Sequence, residues 1–401
     1  MVTTMCTFIL LSMTDSLNVR LVGQCNTPGY AWDVFVSGSY AYVADYYRGL
    51  RVIDVSDPQA PYETGASDSA LNAVGVMVLD SFAYVASHTR GMRIVDIRDP
   101  AQPVIVSTFA VPSGHGIFNL DIADTVAYAI SSIPCPTDQI LRVVNVAEPA
   151  MPIQIDSIPA GDGTGQHLGL RLSGDYLYLN SVEEPRFRIF DAADPESVVQ
   201  VGGCTLPSYP SFEIQVQGIF AYVTCMSTGL VVVDISDPTM PQVVGQLTLP
   251  SYPWGVDVNG QFAFIAAWSA GLRVVDIADP YHPVEIGFHD TPGRAQGVCY
   301  QAPYIYVACD TAGLLIYELV ETDVEESPIT APVAEADLRS TMVKDVIEIT
   351  GPGADEFRVF DATGRYLGAS RNGRFDCRGL TSGVYFVALK ARSAVKVIKT
   401  R

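Results

Sequence analysis

Along most of the chain, short runs of β-branched and aromatic residues alternate with clusters of Gly, Pro, Asp and Ser. Runs of that length bounded by turn formers, with no segment of helical period between them, predict strands. Between residues 32 and 65 four such runs follow one another, at 32–36, 40–44, 50–55 and 62–65. The third has a signature of its own, an apolar stretch that ends in an acid and is followed by Asp-Pro.

That signature recurs. It reads GLRVIDVSDP at 49–58, GMRIVDIRDP at 91–100, GLVVVDISDP at 229–238 and GLRVVDIADP at 271–280, with weaker copies LRVVNVAEP at 141–149, FRIFDAADP at 187–195 and GLLIYE at 313–318. The closing acid or amide falls at Asp54, Asp96, Asn145, Asp191, Asp234, Asp276 and Glu318, at intervals of 42, 49, 46, 43, 42 and 42 residues. A period of roughly 40 to 45 residues built from four strands is the mark of a propeller blade. The predicted fold class is therefore all-β, a seven-bladed β-propeller. A propeller whose ends do not pair would leave an exposed sheet edge. The seventh unit stops after Tyr317, while the segment from Asn18, NVRLVGQC, matches the outer-strand sequence QVVGQL at 242–247, so the N-terminal strand is expected to complete the last blade.

The repeats, as in Leu50-Arg51-Val52-Ile53-Asp54 and Leu272-Arg273-Val274-Val275-Asp276, resemble the LVIVD-repeat family over residues 18–321. The resemblance implies a β-propeller from a group of bacterial and archaeal proteins that are often exported, and implies little about chemistry. Residues 322–337, TDVEESPITAPVAEAD, read as an acidic linker. Beyond it, runs at 346–350, 356–361, 373–377, 384–390 and 394–399 predict a small β-sandwich-like domain over 338–401. Within it FRVFDATG at 357–364 and GLTSGVYF at 379–386, with the basic ending 396–401, resemble the C-terminal sorting domain of type IX (Por) secretion substrates, although the Pro-Asn-Pro opening usual there is absent before Val346. This second resemblance implies the secretion machinery as a partner and a secreted or outer-surface location.

Charge sharpens the division. The chain of 401 residues has a net charge of −20, the wrong sign for covering a phosphate backbone, so nucleic acid is not an expected partner. Every lysine lies beyond residue 337, which sets a basic C-terminal unit against an acidic propeller. Residues 1–17 are expected to be a leader or a residual signal segment. Their apolar run, 5–13, is about half of what a membrane helix needs, and no membrane insertion is expected. Eight cysteines occur without any C-x-x-C, which supports neither a zinc site nor a dithiol centre.

The repeated Asp-x-Ser-Asp-Pro offers carboxylates of the kind calcium takes, but an Asp and a Ser before Pro also make a self-satisfied turn, and a motif common to the blades serves what the blades share. The recurring Arg51, Arg93, Arg142, Arg188 and Arg273 are expected to pair with acids between blades. Gly161-Asp162-Gly163-Thr164-Gly165 precedes a strand rather than a helix and makes no phosphate cradle. No catalytic motif, cofactor or metal is predicted.

What varies from blade to blade lies in the loops on one face, those joining outer to next inner strand and second to third strand. They carry all three tryptophans and most of the histidines. The candidate ligand-binding residues are Trp32, Tyr47, Arg48, His88, Arg90, His115, His167, Trp254, Trp268 and Arg294. Variable loops on a fixed scaffold are how repeat proteins build binding faces. The expected function is an exported or cell-surface binding module for a polysaccharide or protein partner. The alternatives are an extracellular propeller hydrolase or lyase acting on a polymer, and a structural or adhesion component.

Overall fold

Each repeat forms a four-stranded antiparallel sheet with its strands in sequence order from the channel outward. A computed structural model describes residues 18–112, 115–132, 138–162, 169–181, 184–208 and 211–320, and in the C-terminal part 340–343, 346–349, 357–361, 366–370, 374–376, 383–389 and 392–399. The first blade comprises Asp33–Ser37, Tyr40–Ala44, Leu50–Asp54 and Tyr62–Ser67, within two residues of the runs read from sequence. Innermost strands of the remaining blades are Ala73–Leu79, Gly116–Ala123, Leu170–Ser173, Ser211–Gln217, Gly255–Asn259 and Ala295–Gln301.

The seventh blade takes its outer strand from the other end of the chain. Asn18–Cys25 runs antiparallel to Gly313–Val320, with Val19 opposite Leu319 and Cys25 opposite Leu314. Val19 and Cys25 are buried and Val22 packs against the core between the seventh and first blades, whereas Leu21 turns out to solvent. Seven apolar clusters fill the seven interfaces between neighbouring sheets. One joins Tyr42, Leu50 and Val52 of the first blade to Val76, Val85 and Ile97 of the second. Another joins Leu314 and Ile316 of the seventh to Val34, Val43 and Ile53 of the first, which closes the ring.

The Asp-Pro turns have a visible purpose. Asp54 Oδ1 accepts the backbone N–H of Ser56 at 2.9 Å and its hydroxyl at 2.6 Å, and the same side-chain-to-backbone turn recurs at Asp96, Asn145, Asp191, Asp234 and Asp276. So braced, the turn presents the Pro carbonyl to the outer strand of the preceding blade. That strand carries a β-bulge in each sheet, as between Val52 and Ile53 opposite Gly65 and Glu63. At the bulge a Cβ on Gly65 would overlap the Pro100 carbonyl oxygen. In the second blade the equivalent Ser107 instead donates its hydroxyl to Pro149 O.

The recurring arginines correct the expectation of pairing between blades. Arg51 meets Glu63 at 3.3 Å, Asp45 at 3.6 Å and Asp68, and Arg273 meets Glu285 at 3.1 Å and Asp290 at 3.4 Å, all within their own blades. Arg142 donates to Ser131 and Gln154, Arg93 to Thr108 and Arg188 to Pro185 O. The partners lie on the second and fourth strands and the adjoining loops of the arginine's own blade rather than across the interface.

The chain divides into compact units at Val320 and Glu321. In the C-terminal unit Ser340–Val343, Val346–Ile349 and Arg374–Asp376 form one antiparallel sheet, and Tyr366–Ala369, Phe357–Asp361, Gly383–Leu389 and Arg392–Lys399 another. The leader, the linker 322–337 and most of the 161–165 glycine loop lie outside the described residues.

Candidate functional site at the channel mouth

Because strand side chains alternate, the innermost strands send every second residue into the central channel. At one level these positions are Asp33, Gly75, Asn119, Gly169, Glu213, Gly255 and Gly297, and two residues further along each strand they are Phe35, Met77, Asp121, Arg171, Gln215, Asp257 and Cys299. The first level alternates polar side chains with glycine because space is short. A Cβ on Gly297 would lie 2.7 Å from Asp33 Cα. Residues of the two levels, Gly169 and Asp121 apart, and residues above them bound a cavity of about 250 Å³.

Three of the carboxylates tie blades together. Asp33 accepts the N–H of Val34 at 2.8 Å and that of Val76, in the next blade, at 3.0 Å. Asp121 does the same with Ile122 and Leu172, both at 2.8 Å, and Asp257 with Val258 at 2.8 Å and Tyr300 at 2.7 Å. Glu213 is held more loosely, by Ile214 N and by Asn119 Nδ2, each at 3.3 Å. Arg171, the cation of this cavity, lies 3.7 Å from Asp121.

Four acids near one arginine leave negative charge uncompensated in a desolvated space. Burial raises Asp33 to about 6, and burial with the nearby Asp33 charge raises Glu213 to about 8. Burial also raises Asp121 and Asp257. Desolvation lifts the Cys299 thiol to about 12 and lowers His88, so at neutral pH neither carries charge.

Above the acids stands a connected set of rings. Trp254 is sandwiched between Phe212 at 4.4 Å and Trp268 at 4.7 Å, and the Arg294 guanidinium sits 4.7 Å over Trp268. Trp32 meets Trp254 edge-on at 6.0 Å and stacks on Tyr46 at 5.3 Å. His88 Nδ1 lies 3.3 Å from Tyr46 Oη, and the His88 ring contacts Phe118 at 4.6 Å. The loops are pinned to place these rings: Tyr46 bridges to Ala73 and Trp268 to Ala295 of the next blade, with positive φ of 31° and 46°. That left-handed backbone costs an aromatic residue energy and is met at sites with a task.

The structure thus gathers Trp32, His88, Trp254, Trp268 and Arg294 at the channel mouth. Tyr47 stands out on the rim, 57% exposed, edge-on to Tyr46 and Tyr30; its neighbour Arg48 and, in the next blade, Arg90 are exposed too. His115 is buried and does not line the cavity, and His167 lies outside the described residues. The channel residues Asp33, Asn119, Asp121, Arg171, Glu213, Asp257 and Gln296 are absent from the sequence-based selection. Aligning the seven innermost strands, instead of the third-strand acids, would have exposed Asp33, Asn119 and Glu213 as polar residues at a position that is glycine in four blades, with Asp121, Arg171 and Asp257 two residues further on. Among the described residues no group of three His, Cys, Asp or Glu side chains is placed to hold a metal ion.

A family model described as the LVIVD repeat matches residues 28–68, 72–111, 211–248 and 251–291, which are the first, second, fifth and sixth blades. The chain carries LVIVD repeats. The remaining blades keep the sheet and lose parts of the sequence signature, as in FRIFDAADP. No curated protein matches the chain. Among solved structures, its fold is similar to the WD40 β-propeller domain of Doa1, at 10% identity and a TM-score of 0.58 over 76% of this chain and 97% of that one. It is also similar to a chain of the mitotic checkpoint complex, at 13% identity and 0.58 over 80% and 95%, and to BamB from Moraxella catarrhalis, at 12% identity and 0.50 over 79% and 98%. At such identities the likeness shows the fold alone.

Proposed function

We propose that the propeller is an exported or cell-surface recognition module that binds its partner across the channel mouth. The observation that carries this reading is the assembly of non-repeating aromatic and arginine residues around one acidic cavity, on loops held in strained backbone by the next blade.

Of the two partner classes, a protein fits better than a polysaccharide. Both faces of Trp254 are covered by neighbouring rings, which leaves no open face there for a sugar to stack on. The loops of this face instead expose Tyr30, Tyr47, Tyr252 and Leu71, together with Arg48 and Arg90. Tyrosine and arginine are what protein interfaces concentrate at their energetic centres. Export is supported by the C-terminal resemblance to type IX sorting domains and by the reversal of charge there.

A second reading rests on the same cavity. Two neighbouring carboxyls, one raised to about 6 and the other to about 8, have the poise of a base and an acid, as a hydrolase or lyase would use. Screening the full chain against a displayed peptide library and a glycan array separates these possibilities. The expected result is peptide ligands lost on Tyr47→Ala with Arg48→Ala and kept on Tyr281→Ala, which alters an exposed residue in an Asp-Pro turn of the opposite face. Ligands indifferent to the upper-face changes would contradict the proposal, and cleavage of an array glycan lost in Glu213→Gln would favour the enzyme.

A further inference from the structure

Resting on the recognition reading above, we infer that the channel cavity is the seat of a single organic cation, a guanidinium or alkylammonium group carried by the partner as an arginine or lysine side chain. The charge count points there. Asp33, Glu213 and Asp257 line the cavity, and the one cation among the lining residues, Arg171, lies 3.7 Å from a further carboxylate, Asp121. Asp33 and Glu213 are left with amide donors alone.

An independent feature of the wall asks for a donor. Gln296 lines the cavity and is 3% exposed, yet its Oε1 is buried and accepts no hydrogen bond. A buried acceptor left unmatched costs free energy that an entering N–H would recover. Gln296 occupies a bulge between Ala295 and Gly297, the kind of irregularity that re-aims a side chain. Its carbonyl and the Asp33 and Glu213 carboxyls are acceptors, and an arginine or lysine side chain supplies only donors. The aromatic mouth suits the same guest, because apolar walls accommodate its aliphatic stem while the charge goes to the acids.

The other occupants differ in chemistry. A carboxylate guest would meet like charge. A divalent metal would need several carboxylates converging on one point, and the described residues show no such group.

Titrating the full chain with n-butylguanidinium, n-butylammonium, butyrate and calcium chloride, followed by NMR of the tryptophan indole signals, tests the inference. Both cations should bind in the millimolar range, shift the Trp32 and Trp254 signals and bind more tightly as pH rises from 5 to 8, since the cation favours the ionised acids. Glu213→Gln should weaken them about tenfold and flatten that rise, while Gln296→Leu should weaken them severalfold. Butyrate should not bind. Equal binding of butyrate, displacement of the guanidinium by equimolar calcium, or unchanged cation affinity in folded Glu213→Gln and Gln296→Leu would overturn it, as would the absence of any cation binding. A rim that binds peptides lacking Arg and Lys, unaffected by Glu213→Gln, would leave the recognition reading standing without this one.

Discussion

Glu213 Oε2 lies 3.3 Å from Asn119 Nδ2, a contact that reaches from the fifth blade to the third across the channel. Its hydrogen bonds are the longest among these carboxyls, and burial with the nearby Asp33 charge raises it to about 8. The unfolded chain releases that proton near the ordinary glutamate value, so between the two values the folded state holds more protons than the unfolded one. Stability must then fall as pH rises through that window.

Glu213→Gln should remove part of this slope. Midpoints of urea unfolding for the intact protein should decline between pH 5 and pH 8, with Asp33 contributing in the lower part of the range. The variant's midpoints should decline less. Parallel profiles would show that Glu213 does not carry the displacement. His88, which desolvation lowers, works in the opposite direction below the ordinary imidazole value, where the unfolded chain holds the proton, and Cys299 enters only as pH approaches the ordinary thiol value.

Ring closure gives a second expectation. Removing residues 1–25 takes Val19, Val22 and Cys25 from the core and exposes the edge of Gly313–Val320. At about 1.5–3 kcal/mol for each well-buried side chain, the loss is comparable with the stability of a whole domain. Thermal unfolding should show a large drop in midpoint. Removing only residues 1–13 should leave the midpoint in place, and an equally stable longer truncation would contradict the closure.

The docking of one blade's Asp-Pro turn on the previous blade's bulge predicts that Gly65→Ala costs about 1–3 kcal/mol, the scale of an overpacked contact. Gly38→Asn is the control, because that glycine sits in an open turn at φ 60° that Asn accepts. Equal midpoints in urea for the two variants would show that the contact with Pro100 is not tight.

Export should depend on the C-terminal unit. A chain lacking residues 326–401 should keep a folded propeller and remain inside the producing cell. Appearance of the truncated protein in the medium as efficiently as the intact one would remove the sorting assignment.

The fold was legible in the sequence because the motif from Gly49 to Pro58 reports something each blade needs, a third strand and a braced turn that docks on its neighbour. Repetition amplified that signal seven times. The site was only half legible. Trp32, Trp254, Trp268, His88 and Arg294 stood out as departures from the repeat in loops. Glu213 and Asp33 were hidden because they sit inside strands, where a lone acid beside apolar neighbours reads as an ordinary outward-facing residue. Only the ring, by placing seven first strands around one axis, turns that outward direction into an interior one. Gln296 was hidden by its bulge, which no alternation rule anticipates.

The central claim is that the channel mouth, and not the Asp-Pro face, meets the partner. Hydroxyl-radical footprinting of the full chain, with and without a peptide selected from the display library, tests it directly. Tyr47, at 57% exposure, and Tyr252, at 48%, report one face; Tyr281, at 51%, and Met240, at 66%, report the other. The account predicts that the bound peptide protects Tyr47 and Tyr252 and leaves Tyr281 and Met240 as reactive as before. Protection of Tyr281 and Met240 with Tyr47 and Tyr252 unchanged would contradict it.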